Sequence, residues 1–212
     1  MKKIISFDMD GTLFDKNFDD LLWFTEMPKL YSKKHKISFE GARRKCLEEY
    51  DKESKFSTRW YDIKHWLSHF QLDHPWEKIV GDLKHTVNIY DDAIPALKSL
   101  GKKYRLVLLS TATRDFINLK MGVENISKYF CKIYSTTTDL GASGKSKMVY
   151  RKLMSVLNVK PEQLVHVGDD EDFDFKIPRK MGITAYLLDR KRKGKKGEFV
   201  VHSLKELEEK LL

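Results

Sequence analysis

Two carboxylates lie close together near the start of the chain. Asp8 and Asp10 follow an apolar run at 4–7 that is typical of a short buried β-strand, and Gly11 permits a sharp turn after them. Neighbouring carboxylates repel each other unless a cation or a shared proton lies between them. The pattern therefore fits either a strand end with turn-forming residues or a metal-assisted nucleophile at the edge of a sheet.

Two later apolar segments also end in polar residues. The segment at 105–109 is followed by Ser110 and Thr111, and the segment at 164–167 is followed by an acidic stretch. Because parallel strands present their carboxyl ends at one edge of a sheet, we expect these groups to lie near Asp8. The acidic stretch contributes Asp169, Asp170 and Asp174.

The combined carboxylates would form a site made of oxygen ligands. Asp8 and Asp10 would supply one part, and Asp169 or Asp170 would supply the other. Mg²⁺ prefers carboxylates, water and phosphate oxygens as ligands, so the sequence predicts a Mg²⁺ site.

A site that binds phosphate next to carboxylates also needs positive charge from the protein. Lys145 is well placed because it precedes a predicted helix, and Lys147 is the alternative. The stretch at 141–146 superficially resembles a nucleotide-binding P-loop, but that loop requires a glycine at the position that Asp139 holds here. The spacing therefore argues against a P-loop.

The elements that must hold these residues alternate between helix and strand. From residue 90 onward, amphipathic helical stretches separate further apolar segments of strand length. Strands separated by helices of this length predict an α/β fold, with a parallel sheet and helices on both sides. The strand-like segments lie at 104–110, 130–134, 163–168 and 183–188.

A helical insertion is predicted between the first two strands. Residues 17–88 contain apolar residues at helical spacing and all four tryptophans of the chain. We therefore expect an all-helical subdomain at 17–88 and a discontinuous core domain formed by 1–16 and 89–212.

Local signals predict where several helices begin and end. Pro28 is expected to kink or end the first helix of the insertion, and Ser38 is expected to cap the next one. A further helix, capped at 57 or 58, is predicted to continue to residue 70. In the core domain, Gly101 is predicted to close a helix over 92–100.

Composition limits the class of protein. The chain has 212 residues, 41% of them hydrophobic and 12% aromatic, so a sizeable core can form. No apolar run approaches the roughly 18 residues of a membrane span, and no membrane partner is expected. Only two cysteines occur, far apart in sequence, and this favours a reduced, cytoplasmic location.

The net charge of +9 suggests an attraction to anionic ligands such as phosphorylated metabolites. The densest basic cluster, at 190–196, contains no aromatic residues. Because proteins that bind single-stranded nucleic acid combine charge with stacking rings, this cluster is interpreted as a solvated loop, and nucleic acid is not the expected partner.

Taken in order, the motifs resemble those of the haloacid-dehalogenase-like hydrolase superfamily, in its phosphatase branch. The first motif is 8–12, the second is Ser110 and the third is Lys145; the fourth is 168–170 with Asp174. The helical insertion is similar to the cap of the phosphoglycolate-phosphatase-like members. The resemblance implies a Rossmann-like sheet sandwiched by helices.

The resemblance also implies a role for each residue. Asp8 would be the nucleophile, and Asp10 would first protonate the leaving alcohol and then activate water. The phosphoryl group would be bound by Ser110, Thr111 and Lys145. Mg²⁺ would be bound by Asp8, Asp169 and the backbone carbonyl of Asp10, with Asp170 and Asp174 as outer partners.

These roles predict a Mg²⁺-dependent phosphatase that hydrolyses a small phosphomonoester through an aspartyl-phosphate. Asp10 favours the phosphatase branch, because a halide leaving group needs no protonation. The chain lacks the usual proline after Lys145, which leaves the choice between Lys145 and Lys147 open. A small-molecule phosphotransferase and a non-catalytic phospho-acceptor domain are the alternatives; the substrate and the oligomeric state are left open.

Overall fold

The structure is a computed structural model that describes residues 3–53, 57–192 and 194–212. The chain forms two compact units. One unit comprises Met1–Asp15 with Ile89–Leu212, and the other is the continuous segment Lys16–Asn88. We call them the sheet unit and the helical unit.

The sheet unit contains a six-stranded parallel sheet in the order β3-β2-β1-β4-β5-β6. The predicted Rossmann-like α/β fold is therefore confirmed. The last strand is missing from the sequence predictions, because two residues are too few to show a period. The strands are β1 Ile4–Phe7, β2 Arg105–Ser110, β3 Lys132–Ser135, β4 Leu164–Gly168, β5 Thr184–Leu188 and β6 Val200–Val201.

Ten α-helices lie among the described residues, five in each unit. They are α1 Asn17–Leu21, α2 Met27–His35, α3 Phe39–Lys52, α4 Ile63–His69, α5 Trp76–Leu83, α6 Ala93–Lys103, α7 Arg114–Gly122, α8 Lys147–Leu157, α9 Ile177–Arg179 and α10 Leu204–Leu211. No helix in the described part of the chain is both long enough and apolar enough to cross a membrane.

The central strands are buried on both faces, as expected for a parallel sheet covered by helices. Every residue of β1 and of β4 is buried. On one face, Val107 and Leu109 of β2 share a core with Val149 and Leu153 of α8. The opposite face of β2 packs against α6, so the sheet is covered on both sides.

In the helical unit, Pro28 does not end the first helix. A π-helical segment, Leu22–Glu26, joins α1 directly to α2, and Pro28 lies in the first turn of α2. Proline lacks the N–H that an α-helix would bond four residues back, and the wider π-helical turn continues the helix in spite of that loss. Ser38 caps α3 as predicted, since its side chain accepts a hydrogen bond from Gly41 N at 3.2 Å.

The single helix predicted from residue 57 or 58 to residue 70 is wrong. A 3₁₀ segment, Thr58–Tyr61, is capped by Ser57, and the chain then extends at Asp62 before α4 begins. The Asp62 carboxylate accepts a hydrogen bond from Lys64 N at 2.9 Å and is the cap of α4. A second N-cap therefore splits the predicted helix.

Gly101 does not close its helix either. The helix α6 continues to Lys103, with Gly101 in its last turns. A Cβ at Gly101 would lie 3.7 Å from Leu106 Cδ1, so the glycine lies where the helix packs against β2. That is an ordinary contact distance, so the packing does not require glycine here, and the helix accommodates Gly101 and continues past it.

Candidate active site

The candidate site lies where the chain reverses its direction across the sheet. The central strand β1 pairs with β2 on one side and with β4 on the other. In open parallel sheets, ligands bind outside the carboxyl ends of the strands at such a reversal point. Asp8 directly follows β1, and its backbone N–H donates to Val167 O of β4 at 2.9 Å.

A tight loop carries the chain away from Asp8. The Met9 carbonyl accepts hydrogen bonds from the backbone N–H groups of Thr12, Leu13 and Phe14. Within this loop, the Thr12 hydroxyl donates to Asp8 Oδ2 at 3.3 Å. The loop therefore holds one oxygen of a carboxylate that is only 5% exposed.

Lys145 holds the other oxygen of Asp8. Its Nζ lies 2.5 Å from Asp8 Oδ1 and 2.7 Å from Asp174 Oδ1, and the residue is 2% exposed. The turn before it needs Gly144, because φ is +67° there and an added Cβ would lie 2.4 Å from the Phe173 ring. By contrast, Lys147 is exposed at the start of α8.

Asp169 completes a cluster of three carboxylates with Asp8 and Asp174. One oxygen from each lies within 4.8 Å of the other two. Gly11 makes room for Asp169, because a Cβ on Gly11 would lie 2.3 Å from Asp169 Oδ2. The backbone at Gly11, with φ +82°, also favours glycine.

Asp174 is held from three directions deep in the protein. It accepts hydrogen bonds from Lys145 Nζ, from Asp170 N at 3.0 Å, and from His166 Nε2 at 2.9 Å with His166 as the donor. The other ring nitrogen, His166 Nδ1, lies 2.6 Å from Ser6 Oγ. A buried hydrogen-bonded chain therefore runs from Ser6 through His166 and Asp174 to Lys145 and Asp8.

Asp170 has a different contact pattern from its acidic neighbours. Its Oδ1 accepts hydrogen bonds from Asp172 N at 2.9 Å and from Phe173 N at 2.8 Å. It thereby caps the π-helical segment Glu171–Lys176, which leads into α9. This cap fixes the turn that brings Asp174 back to the cluster.

The Asp10 carboxylate is not a member of the three-carboxylate cluster. Its Oδ1 instead lies 2.5 Å from the Nζ of Lys120, a buried residue of α7. The Asp10 side chain is 24% exposed, whereas the Lys120 side chain is 1% exposed. The two acids of the first motif therefore have separate cationic partners.

Ser110 is the last residue of β2, the strand next to β1, and Thr111 follows it. Ser110 is 1% exposed, and its Oγ accepts a hydrogen bond from Ala112 N at 3.1 Å. Thr111 is half-buried, and its backbone carbonyl accepts from the Thr137 hydroxyl at 2.6 Å. Because β1 and β2 are parallel and in register, both residues lie at the same edge of the sheet as Asp8.

The buried charges perturb one another strongly. Burial raises the pKa of Asp8 to about 7; the carboxylates of Asp174 and Asp169 add to the rise, and the Lys145 ammonium opposes it. Burial would also raise the pKa of Asp174, but Lys145 and the hydrogen bond from His166 outweigh burial and hold that pKa below its usual range. Burial acts to lower the pKa of Lys145, but its two acidic partners raise it well above normal.

The donor set fits a divalent cation. Three carboxylates share one ammonium, and the raised pKa of Asp8 reflects carboxylates that are buried and crowded together. Mg²⁺ binds carboxylate oxygens and usually keeps several waters. Asp8, Asp169 and Asp174 could hold such an ion.

A family model described as haloacid dehalogenase-like hydrolase matches residues 2–182 of the chain. The chain belongs to this family. The matched range contains all four motifs named in the sequence analysis, including Asp8, Asp10, Ser110, Lys145 and Asp169.

Known proteins similar to this haloacid dehalogenase-like hydrolase include a crystallised HAD phosphatase from Thermococcus onnurineus. It is 26% identical, with a TM-score of 0.86, and the match covers 100% of this chain and 98% of that chain. A 2-haloacid dehalogenase from Pseudomonas syringae pv. Tomato DC3000 is 20% identical with a TM-score of 0.66, covering 99% of this chain and 97% of that one. That second likeness concerns the fold alone.

Among characterised proteins, the hydrolase is similar to the GMP/IMP nucleotidase YrfG of Escherichia coli (strain K12). The two are 23% identical over 167 residues, which is 77% of this chain and 72% of the nucleotidase.

Two residues that contact predicted site residues, Lys120 and His166, were not identified from the sequence. Thr12 lies in the first motif but was given no role there, and the position of Arg190 was also missed. Lys120 could have been identified from its spacing, because Phe116, Ile117 and Met121 mark the buried face of α7 and Lys120 lies within it. The Arg190 guanidinium donates to Thr12 O at 2.7 Å and forms two hydrogen bonds with Asp92. Arg190 therefore braces the loop after β1, although it belongs to the predicted basic loop. Lys193 of that loop lies outside the described residues.

Proposed function

We propose that this hydrolase is a Mg²⁺-dependent phosphatase that cleaves a small phosphomonoester through an aspartyl-phosphate on Asp8. One observation carries the proposal: the Lys145 ammonium lies 2.5 Å from the Asp8 carboxylate, beside Asp169 and Asp174. A nucleophilic carboxylate next to a buried cation and further metal-ligand groups suits transfer of a charged phosphoryl group.

In the first half of the reaction, a carboxylate oxygen of Asp8 attacks phosphorus. A new bond forms between that oxygen and phosphorus while the bond from phosphorus to the ester oxygen breaks. Asp10, in its protonated form, donates its proton to the departing ester oxygen, which leaves as the alcohol. The products of this half are the free alcohol and phosphorylated Asp8.

In the second half, water attacks the phosphorus of phosphorylated Asp8. Asp10, now a carboxylate, accepts a proton from that water, and the bond between phosphorus and the Asp8 oxygen breaks. Inorganic phosphate leaves, the Asp8 carboxylate is restored, and Asp10 is again protonated for the next cycle.

The remaining residues stabilise the charge of the phosphoryl group. Lys145 binds its oxygens together with Ser110 and Thr111 at the end of β2. A Mg²⁺ ion held by Asp8 and Asp169, with Asp174 close by, would offset the negative charge that the substrate adds to the cluster.

The protonating role of Asp10 supports a phosphate ester and not a haloacid as substrate, since a halide leaves without protonation. The likeness to a GMP/IMP nucleotidase makes purine nucleoside monophosphates the first substrates to test. In the same proposal, the helical unit is the cap subdomain of this phosphatase and sets its substrate preference.

The test is hydrolysis of p-nitrophenyl phosphate, GMP and IMP by purified protein, with Mg²⁺ and with EDTA. We expect activity only with Mg²⁺, and Asp8→Asn should reduce it at least about a thousandfold, because a carboxamide is a far weaker nucleophile. The matched control is Asp172→Asn, which changes an exposed acid of the same acidic stretch and should retain activity.

Full activity of Asp8→Asn would disprove the mechanism. A stable phosphorylated Asp8 without turnover, detected by mass spectrometry, would instead indicate a phospho-acceptor domain. Faster release of a phosphorylated acceptor alcohol than of phosphate would indicate a phosphotransferase.

A further inference from the structure

Lys120 is a buried lysine that the proposed mechanism does not use. It lies on α7 with no exposed surface, and its neighbours on the buried face of the helix are Phe116, Ile117 and Met121. Lysine is almost never fully buried unless its charge is paired, because removing an ammonium from water is costly. A lysine on this face therefore calls for an explanation beyond packing.

The Lys120 ammonium contacts the carboxylate to which the mechanism assigns the proton transfers. Its Nζ lies 2.5 Å from Asp10 Oδ1. Among the described residues, no second hydrogen bond reaches the Asp10 side chain, which keeps 24% of its surface exposed. One oxygen of Asp10 is therefore held from inside the protein, while Oδ2 has no protein partner in the described chain.

We propose that Lys120 is a positioning residue for Asp10. By holding Oδ1, it fixes the plane of the carboxyl group, so that Oδ2 is the oxygen that gives a proton to the leaving alcohol and takes one from water. This inference rests on the proposed phosphatase function. It adds a residue that none of the predicted motifs contains.

The geometry explains why a fixed carboxyl group is needed at this position. Asp10 lies in a loop two residues beyond the nucleophile, and a partly exposed side chain there has rotational freedom of its own. Proton transfer requires hydrogen-bond distance and alignment to the reacting oxygen. An ammonium fixed in the packed face of α7 removes that freedom from one side of the carboxyl group.

The test compares kcat/KM for two kinds of phosphomonoester, because kcat/KM reports the steps up to the departure of the leaving group. An alkyl phosphate needs its leaving oxygen protonated, whereas p-nitrophenyl phosphate releases a stabilised phenolate that does not. We expect Lys120→Met to reduce kcat/KM about a hundredfold for the alkyl phosphate and less than about threefold for the aryl phosphate. Asp10→Asn should show the same selectivity.

A double variant tests whether Lys120 acts through Asp10. In the Asp10→Asn background, Lys120→Met should reduce kcat/KM for the alkyl phosphate no further, because the group that it positions has already been replaced. The charge-matched control is Lys205→Met, which removes an exposed cation from α10 and should leave both substrates unaffected.

The outcomes separate the inference from the function on which it rests. If Lys120→Met lowers kcat/KM equally for both substrates, or lowers it further in the Asp10→Asn background, Lys120 has only a structural role and the inference is wrong. The inference is also wrong if Asp10→Asn is selective and Lys120→Met is not. If Asp10→Asn itself shows no selectivity, the proposed role of Asp10 fails and the inference fails with it, whereas an active Asp8→Asn would overturn the proposed function itself.

Discussion

In the sheet unit, charged side chains lie inside the protein, whereas in the helical unit the described ion pairs lie at its surface. Asp8, Lys120, Lys145 and Asp174 are each at most 5% exposed, and they pair across elements that are distant in sequence. Although His69 pairs with Glu49 of another helix, most of the described pairs of the helical unit are local. Examples are Lys29–Glu26, Lys45–Glu48 and Lys78–Asp82, one helical turn apart.

The helical unit is filled by aromatic rings instead. Trp66 is 2% exposed; its ring centroid lies 4.6 Å from that of Tyr50, in an edge-to-face arrangement, and 5.6 Å from that of Phe70, in a stacked one. Its indole N–H donates to Trp60 O at 3.1 Å. Such contacts stabilise a fold without placing any charge in its interior.

The difference shows where this chain accepts the cost of burying charge. Buried ion pairs are often no better for stability than apolar groups of similar size, so their presence is weak evidence for a stabilising role. Asp8, Lys120 and Lys145 lie at, or in contact with, the residues that follow β1, and Asp174 is paired with Lys145. We therefore expect substitutions of these charged residues to reduce mainly activity, and substitutions in the aromatic cluster to reduce mainly stability.

The largest effect is expected for Lys145→Met. Hydrolysis of p-nitrophenyl phosphate should fall about a thousandfold, and the free energy of unfolding should fall by about 3–5 kcal/mol, because Asp8 and Asp174 lose their shared cation. Activity assays and urea unfolding in EDTA measure the two effects. A stable and active Lys145→Met variant would show that the ion pairs of Lys145 are needed neither for activity nor for stability.

Trp66→Ala should affect mainly stability. Removing this ring from the aromatic cluster should lower the free energy of unfolding by about 3–5 kcal/mol, through lost contacts and the cavity left behind. At a temperature where the variant is fully folded, kcat/KM should change less than about tenfold. If Trp66→Ala kept a native near-ultraviolet circular dichroism spectrum and still lost as much activity as Lys145→Met, the contrast between the two units would be contradicted.

The pH dependence of stability should report the raised pKa of the buried Asp8 carboxylate, which lies near two other carboxylates. Folding raises the pKa of Asp8 from its usual 3.8 to about 7, so without metal its contribution favours folding most below pH 4 and is lost as the pH rises through 7. The lowered pKa of Asp174 acts in the opposite sense and matters only in acid.

Urea unfolding in EDTA at pH 5 and pH 8 checks this expectation. From pH 5 to pH 8, the free energy of unfolding of Asp8→Asn should increase by about 2–3 kcal/mol relative to that of the unmodified protein. Mg²⁺ at pH 8 should stabilise the unmodified protein more than the variant. Parallel pH profiles for the two proteins would argue against a buried, crowded Asp8.

The smallest effect is expected for Lys78→Met in α5. Lys78 and Asp82 are 62% and 67% exposed, and solvent screens the attraction between them. The free energy of unfolding should change by less than about 0.5 kcal/mol, and activity should not change. Urea unfolding in EDTA and the same activity assay measure both quantities, so this variant also serves as the control for Lys145→Met, since both remove one positive charge.

The sheet and the polar ends of its strands could be predicted from the sequence for a simple reason. A strand that is buried on both faces forms an apolar run, and a functional group at its end interrupts that run, as Asp8 and Ser110 do. The parallel arrangement then implies that these groups share one edge. No side-chain contact had to be known for this prediction.

The contacts that orient those groups depend on packing that the sequence does not show directly. A lysine on a helix is usually exposed to solvent, and only the buried residues around Lys120 in the sequence of α7 indicate that this one is buried. His166 lies within an apolar strand, but its partner Asp174 is reached through a π-helical turn that no local signal indicated. The predicted helix end at Gly101 was wrong because α6 continues to Lys103 in spite of the low helix propensity of glycine.

The position of β1 in the middle of the sheet also has a consequence for the order in which the protein matures. This strand is made first, but its contacts come from late in the chain: Lys145 lies 137 positions after Asp8, and His166 lies 160 positions after Ser6. The helical unit, by contrast, is one continuous segment, Lys16–Asn88, so all the residues that form it are made before most of the sheet unit. During synthesis, the helical unit can therefore assemble while Asp8, the proposed nucleophile, still lacks its cation Lys145, and the candidate site is completed among the last steps of folding.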